Sequence, residues 1–144
     1  MTLYDVLDKN LVRVPLGAIN KEEAIEELAS LISKKKGIPV KAITDKIWER
    51  EKLGSTAIGD GIAIPHCKSD KIETCEVAIG VCKEPIDFDG HEVKMIFMVI
   101  ASPTRPAMHV QILSSIAKLC NSSACRNLLF EAPDKKSLIS VLSD

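Results

Sequence analysis

The segment 93–102, VKMIFMVIAS, constrains the fold more than any other part of this 144-residue chain. Apart from Lys94, the run is apolar from Val93 to Ala101, and it is well short of the ~18–20 residues that a bilayer-spanning helix requires. A strand with one face in water would alternate between apolar and polar residues, whereas a continuous apolar run is typical of a central strand covered on both faces. We therefore expect a β-sheet that lies between two layers of helices.

The segments around this strand alternate between helical and strand patterns. Residues 20–37, NKEEAIEELASLISKKKG, predict a helix that Asn20 caps and Gly37 ends, with acidic residues in the first turn and lysines in the last. Further predicted helices follow Thr2 and cover 40–54, 108–120, 122–130 and 134–143, and further predicted strands cover 11–16, 61–66 and 75–82. This mixture predicts a single α/β domain over residues 1–144, a three-layer sandwich with a mixed sheet flanked by helices on both faces.

Charge and composition exclude several classes of protein. The 19 basic residues are balanced by 20 acidic ones, and the aromatic residues do not interleave with a basic stripe, so we expect no nucleic-acid partner. The amino-terminal residues, MTLYDVLDKN, lack the basic and then apolar pattern of a signal peptide. With no apolar run of membrane length, we expect a soluble cytoplasmic protein that does not insert directly into a membrane.

The five cysteines favour neither a disulfide scaffold nor a metal site. No two of them form a C-x-x-C pair, and their spacing relative to the three histidines matches no zinc pattern. We therefore predict no metal and interpret the thiols as small, buried or half-buried side chains. They lie at positions 67, 75, 82, 120 and 125.

One loop, GSTAIGDGIAIPHCK over residues 54–68, combines features of an anion site. Glycines can adopt backbone conformations closed to other residues, so the loop can bend tightly and present amide N–H groups in a concave array that binds anions. Ser55 and Thr56 add hydroxyl donors. The candidate phosphate-binding residues are Ser55, Thr56, Gly59 and Gly61.

The same stretch contains a candidate nucleophile and a candidate cation. Pro65 fixes one backbone torsion and would hold His66 in a defined direction, and the guanidinium of Arg50 matches phosphate geometry. Each residue also has an ordinary structural interpretation, since lone histidines, glycine-rich turns and helix-end arginines are common. The residues alone leave both the catalytic and the structural interpretation open.

Residues 49–68, EREKLGSTAIGDGIAIPHCK, resemble the active-site signature of the fructose/mannitol-type enzyme IIA domains of the bacterial sugar phosphotransferase system, a group that includes nitrogen-regulatory IIA proteins. The family pattern has an acid or amide, an apolar-glycine pair, and an apolar-Ala-apolar-Pro-His segment before a small residue. Here those places are filled by Glu51, Ile58-Gly59, Ile62-Ala63-Ile64-Pro65-His66 and Cys67. A second family feature, a histidine that opens the helix after the central strand, is matched by His109 in HVQIL. The resemblance extends over the whole chain.

The resemblance implies that His66 accepts a phosphoryl group, on Nε2, and that Arg50 and His109 stabilise it. The donor would be an HPr-type phosphocarrier protein and the acceptor a cysteine of a IIB domain, which makes the chain a phosphotransferase component that needs no cofactor. Phosphoryl transfer requires in-line positioning and charge stabilisation, and a histidine near a helix start after Pro106 lies where free N–H groups favour an anion. His91, in a polar turn, has no comparable partner.

Alternative functions remain beside this one. Within the family, the alternative is a nitrogen-regulatory-type protein whose phosphorylation state controls a protein target. Outside the family, the loop could bind an anionic small molecule without catalysing a reaction. The thiol of Cys67 beside His66 also suggests a Cys–His hydrolase, for which an orienting group and an oxyanion hole are not evident. This chain departs from the family at two places that bear on the assigned site residues: it has cysteine in place of the frequent glycine at position 67, and PTRPAMH, where many relatives have acidic or polar residues, before His109. Apolar candidates for the docking surface are Ile58, Ile62, Ile64 and Met108.

Overall fold

The structure, a computed structural model, describes residues 1–143 and has helices on both faces of one six-stranded sheet. The helices are α1 (Leu3–Val6), α2 (Lys21–Lys36), α3 (Val40–Glu51), α4 (Pro106–Cys120), α5 (Ser123–Phe130) and α6 (Lys135–Ser143). The strands are β1 (Val12–Leu16), β2 (Ala57–Gly59), β3 (Ile62–Ala63), β4 (His66–Lys68), β5 (Cys75–Phe88) and β6 (His91–Ala101). The predicted α/β sandwich is confirmed.

The sheet is mixed, and β6 is its central strand. The strand order is β1-β5-β6-β3-β2, and β4 also pairs with β6. The pairings of β1 with β5 and of β3 and β4 with β6 are parallel, whereas β5 is antiparallel to β6 and β2 to β3. One edge of β6 therefore carries β5 and the other carries β3 and β4, which places His66 next to the buried half of β6, opposite Val99.

The continuous apolar run is buried on both faces, as predicted. Ile96, Met98 and Ile100 pack against α2 and α3, whereas Met95, Phe97, Val99 and Ala101 pack against α4, α5 and α6. Each large apolar side chain buried this way stabilises the fold by roughly 1.5–3 kcal/mol relative to an exposed one. This central layer fixes the position of the neighbouring strands.

The predicted helix limits of α2 are also confirmed. The side-chain oxygen of Asn20 accepts a hydrogen bond of 2.8 Å from the backbone N–H of Glu23, and Gly37 ends the helix with a φ of +67°. The left-handed conformation at that position favours glycine because it has no Cβ. Helix α3 ends at Glu51, earlier than the predicted position 54.

The segment 61–66, predicted as one strand, is interrupted. Strands β2 and β3 form a hairpin, and Pro65, which has no N–H, separates β3 from β4. Both pieces pair with the same edge of β6, since Ile62 lies opposite Met95 and His66 lies opposite Val99. The carbonyl of Pro65 accepts a hydrogen bond of 2.9 Å from the N–H of Val99, so the proline interrupts the ladder and the chain keeps its direction.

Strand β5 is longer than the predicted 75–82 because it continues into a hairpin with β6. The hairpin turns at Asp89 and Gly90, both with positive φ. No helix within residues 1–143 is long and apolar enough to cross a bilayer. In that same range all five thiols are unpaired, and no group of three or more histidine, cysteine or carboxylate side chains is arranged to hold a metal ion.

Candidate functional site

His66 opens β4 with its imidazole half-buried at the surface of the sheet. The Nδ1 atom lies 2.7 Å from the carbonyl oxygen of Ile64. Because a carbonyl can only accept, Nδ1 carries the proton and donates it, and the lone pair of the neutral ring is on Nε2. Ile64 lies in the break between β3 and β4, two residues before His66. The hydrogen bond thus leaves the Nε2 lone pair free for an interaction with a ligand.

His109 faces His66 from the first turn of α4. The two ring centroids are 5.7 Å apart and the rings are nearly perpendicular, at 74°. Burial, followed by the charges of His66 and Lys68, lowers the pKa of His109, so the ring is neutral at pH 7. Its Nε2 atom is buried and has no hydrogen-bond partner among the described residues. An unpartnered buried polar atom costs free energy, so a polar ligand at this position would be stabilised.

Arg50 completes the group from the last turn of α3. Its Nη1 atom donates a hydrogen bond of 3.0 Å to the carbonyl of Gly54, which is the one hydrogen bond that the guanidinium makes within residues 1–143. The remaining N–H groups of this planar fork can serve a ligand oxygen. The structure therefore brings together the three predicted catalytic residues, Arg50, His66 and His109.

These three side chains line one open cleft of about 440 Å³. Its other lining residues are Lys46, Glu49, Leu53, Cys67 and Lys68. Three of the lining side chains are cationic and one is anionic, so the cleft favours an anion.

The four predicted phosphate-binding residues of the loop do not line this cleft. Thr56 is buried and its hydroxyl donates to the carboxylate of Glu51, while the hydroxyl of Ser55 accepts from the N–H of Ala57 at 3.2 Å. Gly59 and Gly61 have φ angles of +88° and +84°, which the tight β2–β3 hairpin requires. The geometry gives these residues structural roles, and phosphate binding by them stays a prediction without structural support.

A buried ion pair supports the loop between α3 and β2. A carboxylate oxygen of Glu51 lies 2.8 Å from Nζ of Lys21, which also lies 2.7 Å from a carboxylate oxygen of Asp89. The ammonium additionally lies over the rings of Trp48 and Phe88. Through Thr56, this network fixes the segment that begins directly after Arg50. No sequence pattern indicates this network, since nothing around Lys21 pairs it with a residue 30 positions away.

Cys67 points away from His66, because successive side chains of a strand alternate between faces. It packs in the core beside α2 and α3, and burial raises the pKa of its thiol to about 12. A protonated thiol is a poor nucleophile, so the structure gives no support to a Cys–His hydrolase.

Two predicted docking residues are wrong. Ile62 and Ile64 are 1% and 6% exposed, because their side chains belong to the core beneath α4. Ile58 is exposed and Met108 is half-buried. Two large exposed apolar residues that the sequence did not single out are Leu53, which lines the cleft, and Val110, which follows His109 in α4.

The mixed α/β sandwich presents two imidazoles, those of His66 and His109, and the guanidinium of Arg50 in one open cleft. Residues 5–144 match the family model described as phosphoenolpyruvate-dependent sugar phosphotransferase system, EIIA 2. The chain belongs to this family, as its signature over residues 49–68 predicted.

The similar proteins include both nitrogen regulatory proteins and components of sugar phosphotransferase systems. A nitrogen regulatory protein of Bradyrhizobium diazoefficiens is 32% identical over 146 residues, covering 99% of this chain and 95% of the relative. The fructose-specific EIIABC component of Bacillus subtilis is 28% identical over 147 residues, covering 99% of this chain and 23% of that longer protein.

Solved structures confirm the fold. The nitrogen regulatory protein IIA-Ntr of Neisseria meningitidis superposes with a TM-score of 0.90 at 24% identity, covering 97% of this chain and 98% of that one. The mannitol enzyme IIA of Escherichia coli, solved in complex with phosphorylated mannitol enzyme IIB, superposes with a TM-score of 0.80 at 20% identity, covering 95% and 96%.

Proposed function

We propose that this protein is a phosphocarrier that accepts a phosphoryl group on Nε2 of His66 from an HPr-type phosphocarrier protein. The observation that carries the proposal is the 2.7 Å hydrogen bond from Nδ1 of His66 to the carbonyl of Ile64. This bond keeps the lone pair on Nε2, in a cleft whose other polar groups suit an anion. A histidine held only for structural reasons would have no need of such surroundings.

The transfer step needs little covalent chemistry from the protein. The Nε2 lone pair forms a bond to phosphorus while the bond from phosphorus to the donor's imidazole breaks, and that electron pair returns to the donor ring. The proton on Nδ1 stays hydrogen-bonded to the Ile64 carbonyl, which stabilises the positive charge that the ring of His66 acquires. Positioning and electrostatic stabilisation supply the rest of the rate enhancement.

Arg50 and His109 would supply that stabilisation. The guanidinium can donate two parallel hydrogen bonds to phosphoryl oxygens, and its bond to the Gly54 carbonyl orients it before the phosphoryl group arrives. The ring of His109 has one N–H donor in its neutral form, and the ring lies close enough to His66 to reach a group on Nε2.

Two uses of the phosphoryl group are supported by relatives in the family. Transfer to a cysteine of a IIB domain is supported by the mannitol IIA relative, which was solved with a phosphorylated IIB partner. Control of a protein target by phosphorylation state is supported by the nitrogen regulatory relatives, one of which this chain matches over 95% of that relative's length. Both use the same phosphohistidine.

Acceptance of the phosphoryl group is tested by incubating the protein with phosphoenolpyruvate, enzyme I and HPr and measuring the intact mass. We expect the wild-type protein to gain one phosphoryl group and His66→Ala to gain none. His91→Ala is the matched control, because His91 is an exposed histidine on the β5–β6 hairpin, and it should be labelled like wild type. Label on His66→Ala, or no label on wild type while a known enzyme IIA is labelled in parallel, contradicts the proposal and favours an anion-binding module.

The acceptor is tested with the labelled phosphoprotein. Rapid passage of the label to a IIB domain and then to its sugar identifies a transport component. Retention of the label in the presence of IIB domains, together with a protein partner that binds only one of the two phosphorylation states, identifies the regulatory type.

A further inference from the structure

Lys68 lies on the same side of β4 as His66. Alternate residues of a strand share a face, so His66 and Lys68 point toward α4 while Cys67 between them points into the opposite core. Lys68 pairs with Ala101, the last residue of β6, where the chain leaves the sheet for the loop that leads to His109. This register places the lysine at the open edge of the sheet, and its side chain lines the cleft.

The charges of the two cleft lysines, Lys68 and Lys46, act on different residues. The ammonium of Lys68 contributes to the lowered pKa of His109, whereas that of Lys46 acts on the thiol of Cys67. Lys68 therefore acts on His109, and by strand alternation it lies on the same face of β4 as His66. Within residues 1–143, the ammonium of Lys68 forms no hydrogen bond or ion pair of its own.

The residues already assigned to the site do not fill the hydrogen-bond acceptor positions of a phosphoryl group. A phosphoryl group carries between one and two negative charges near pH 7 and has three acceptor oxygens. Arg50 supplies one fixed cation, and His109 is neutral and offers a single N–H. A lysine ammonium is a compact charge with three donors on a flexible stem, so it can follow the oxygens as the group is transferred.

We propose that Lys68 binds a phosphoryl oxygen of phosphorylated His66 and is a third residue, with Arg50 and His109, that stabilises the phosphorylated state. This inference rests on the proposed phosphorylation of His66. No bond is made or broken at Lys68: it stays protonated and donates a hydrogen bond before and after the group moves on.

The equilibrium constant for phosphoryl exchange with HPr isolates this role. It depends only on the free energies of the separate phosphorylated and unphosphorylated proteins, so a change in docking to HPr alters the rates and leaves the constant unchanged. Lys68→Gln should lower it roughly three- to tenfold, the value of one charge-assisted contact in a half-exposed site. Lys68→Arg, which keeps the charge, should remain near wild type, and so should Lys71→Gln, which removes an exposed lysine outside the cleft.

A second measurement, histidine NMR titration of the unphosphorylated protein, checks the geometry independently. Removing the cation at position 68 should raise the pKa of His109, whereas Lys71→Gln should leave it unchanged. If Lys68→Gln leaves the equilibrium constant equal to that of Lys71→Gln, the proposal is overturned although His66 is still phosphorylated. If wild type is not phosphorylated at all, the proposed function itself fails, so the two failures are distinguishable.

Discussion

Lys21 pairs with two carboxylates, and we expect their removal to lower the free energy of unfolding by very different amounts. Nζ of Lys21 lies 2.8 Å from a carboxylate oxygen of Glu51 and 2.7 Å from one of Asp89, so the two contacts look equivalent by distance. The Glu51 side chain, however, is 1% exposed and that of Asp89 is 61% exposed. Water can therefore solvate the Lys21 ammonium where Asp89 is removed, whereas it has little access to the buried position of Glu51.

Losing one partner of a buried ion pair costs about 3–5 kcal/mol, whereas an exposed pair is worth about 0–1 kcal/mol. When Glu51 is removed, Lys21 still pairs with Asp89. We therefore expect Glu51→Ala to lower the free energy of unfolding by about 3 kcal/mol, the lower end of the range for a buried pair. For a domain of this size that corresponds to a Tm about 6–12 °C lower. Asp89→Ala should cost about 1 kcal/mol or less.

Urea denaturation followed by circular dichroism measures both variants, and the fluorescence of Trp48, the chain's one tryptophan, reports on the environment of Lys21 in the same samples. Equal losses of stability in Glu51→Ala and Asp89→Ala would refute the reasoning, because burial would then not decide the strength of the pair.

Three further predictions concern the cleft. The folded-state pKa of His109 lies below its ordinary value of 6.5, so the contribution of His109 to stability is fully present above pH 6.5 and is lost as pH falls toward the folded-state pKa. His109→Asn should therefore lose less stability on acidification than wild type does, as measured by urea titrations at several pH values. An unchanged dependence of the unfolding free energy on pH would contradict this. Arg50→Ala should slow phosphorylation by HPr roughly 100-fold, as removal of a charge-stabilising donor does, and a rate within twofold of wild type would exclude its role. Cys67→Gly should remain phosphorylated nearly as wild type, because the thiol points away from His66; loss of labelling in a folded variant would restore the thiol as a candidate nucleophile.

The layers of the fold were predictable because they follow from local patterns. The apolar run in 93–102 is typical of a strand covered on both faces, and the Asn20 cap and the stop at Gly37 express intrinsic backbone preferences. The interruption at Pro65 was not predicted, since a proline at a strand edge is compatible with either a continued or a broken strand. In the structure the strand is broken, and both pieces keep the same register with β6.

The site was predictable only where its residues are close in sequence or belong to the signature. His66 and Arg50 lie in one segment, and His109 was assigned from the resemblance. The loop of glycines and hydroxyls was a reasonable anion site by composition, yet Thr56 is buried against Glu51 by a contact network that involves Lys21. Which donors face a ligand depends on packing between distant segments, and no local pattern records that packing.

The central claim is tested most directly by NMR of the protein with ¹⁵N-labelled histidine, before and after phosphorylation. Before it, His66 should show a protonated Nδ1 and an unprotonated Nε2; afterwards, a one-bond coupling should join ³¹P to Nε2 of the same ring. A phosphoryl group on Nδ1 of His66, or on His109, would contradict the account.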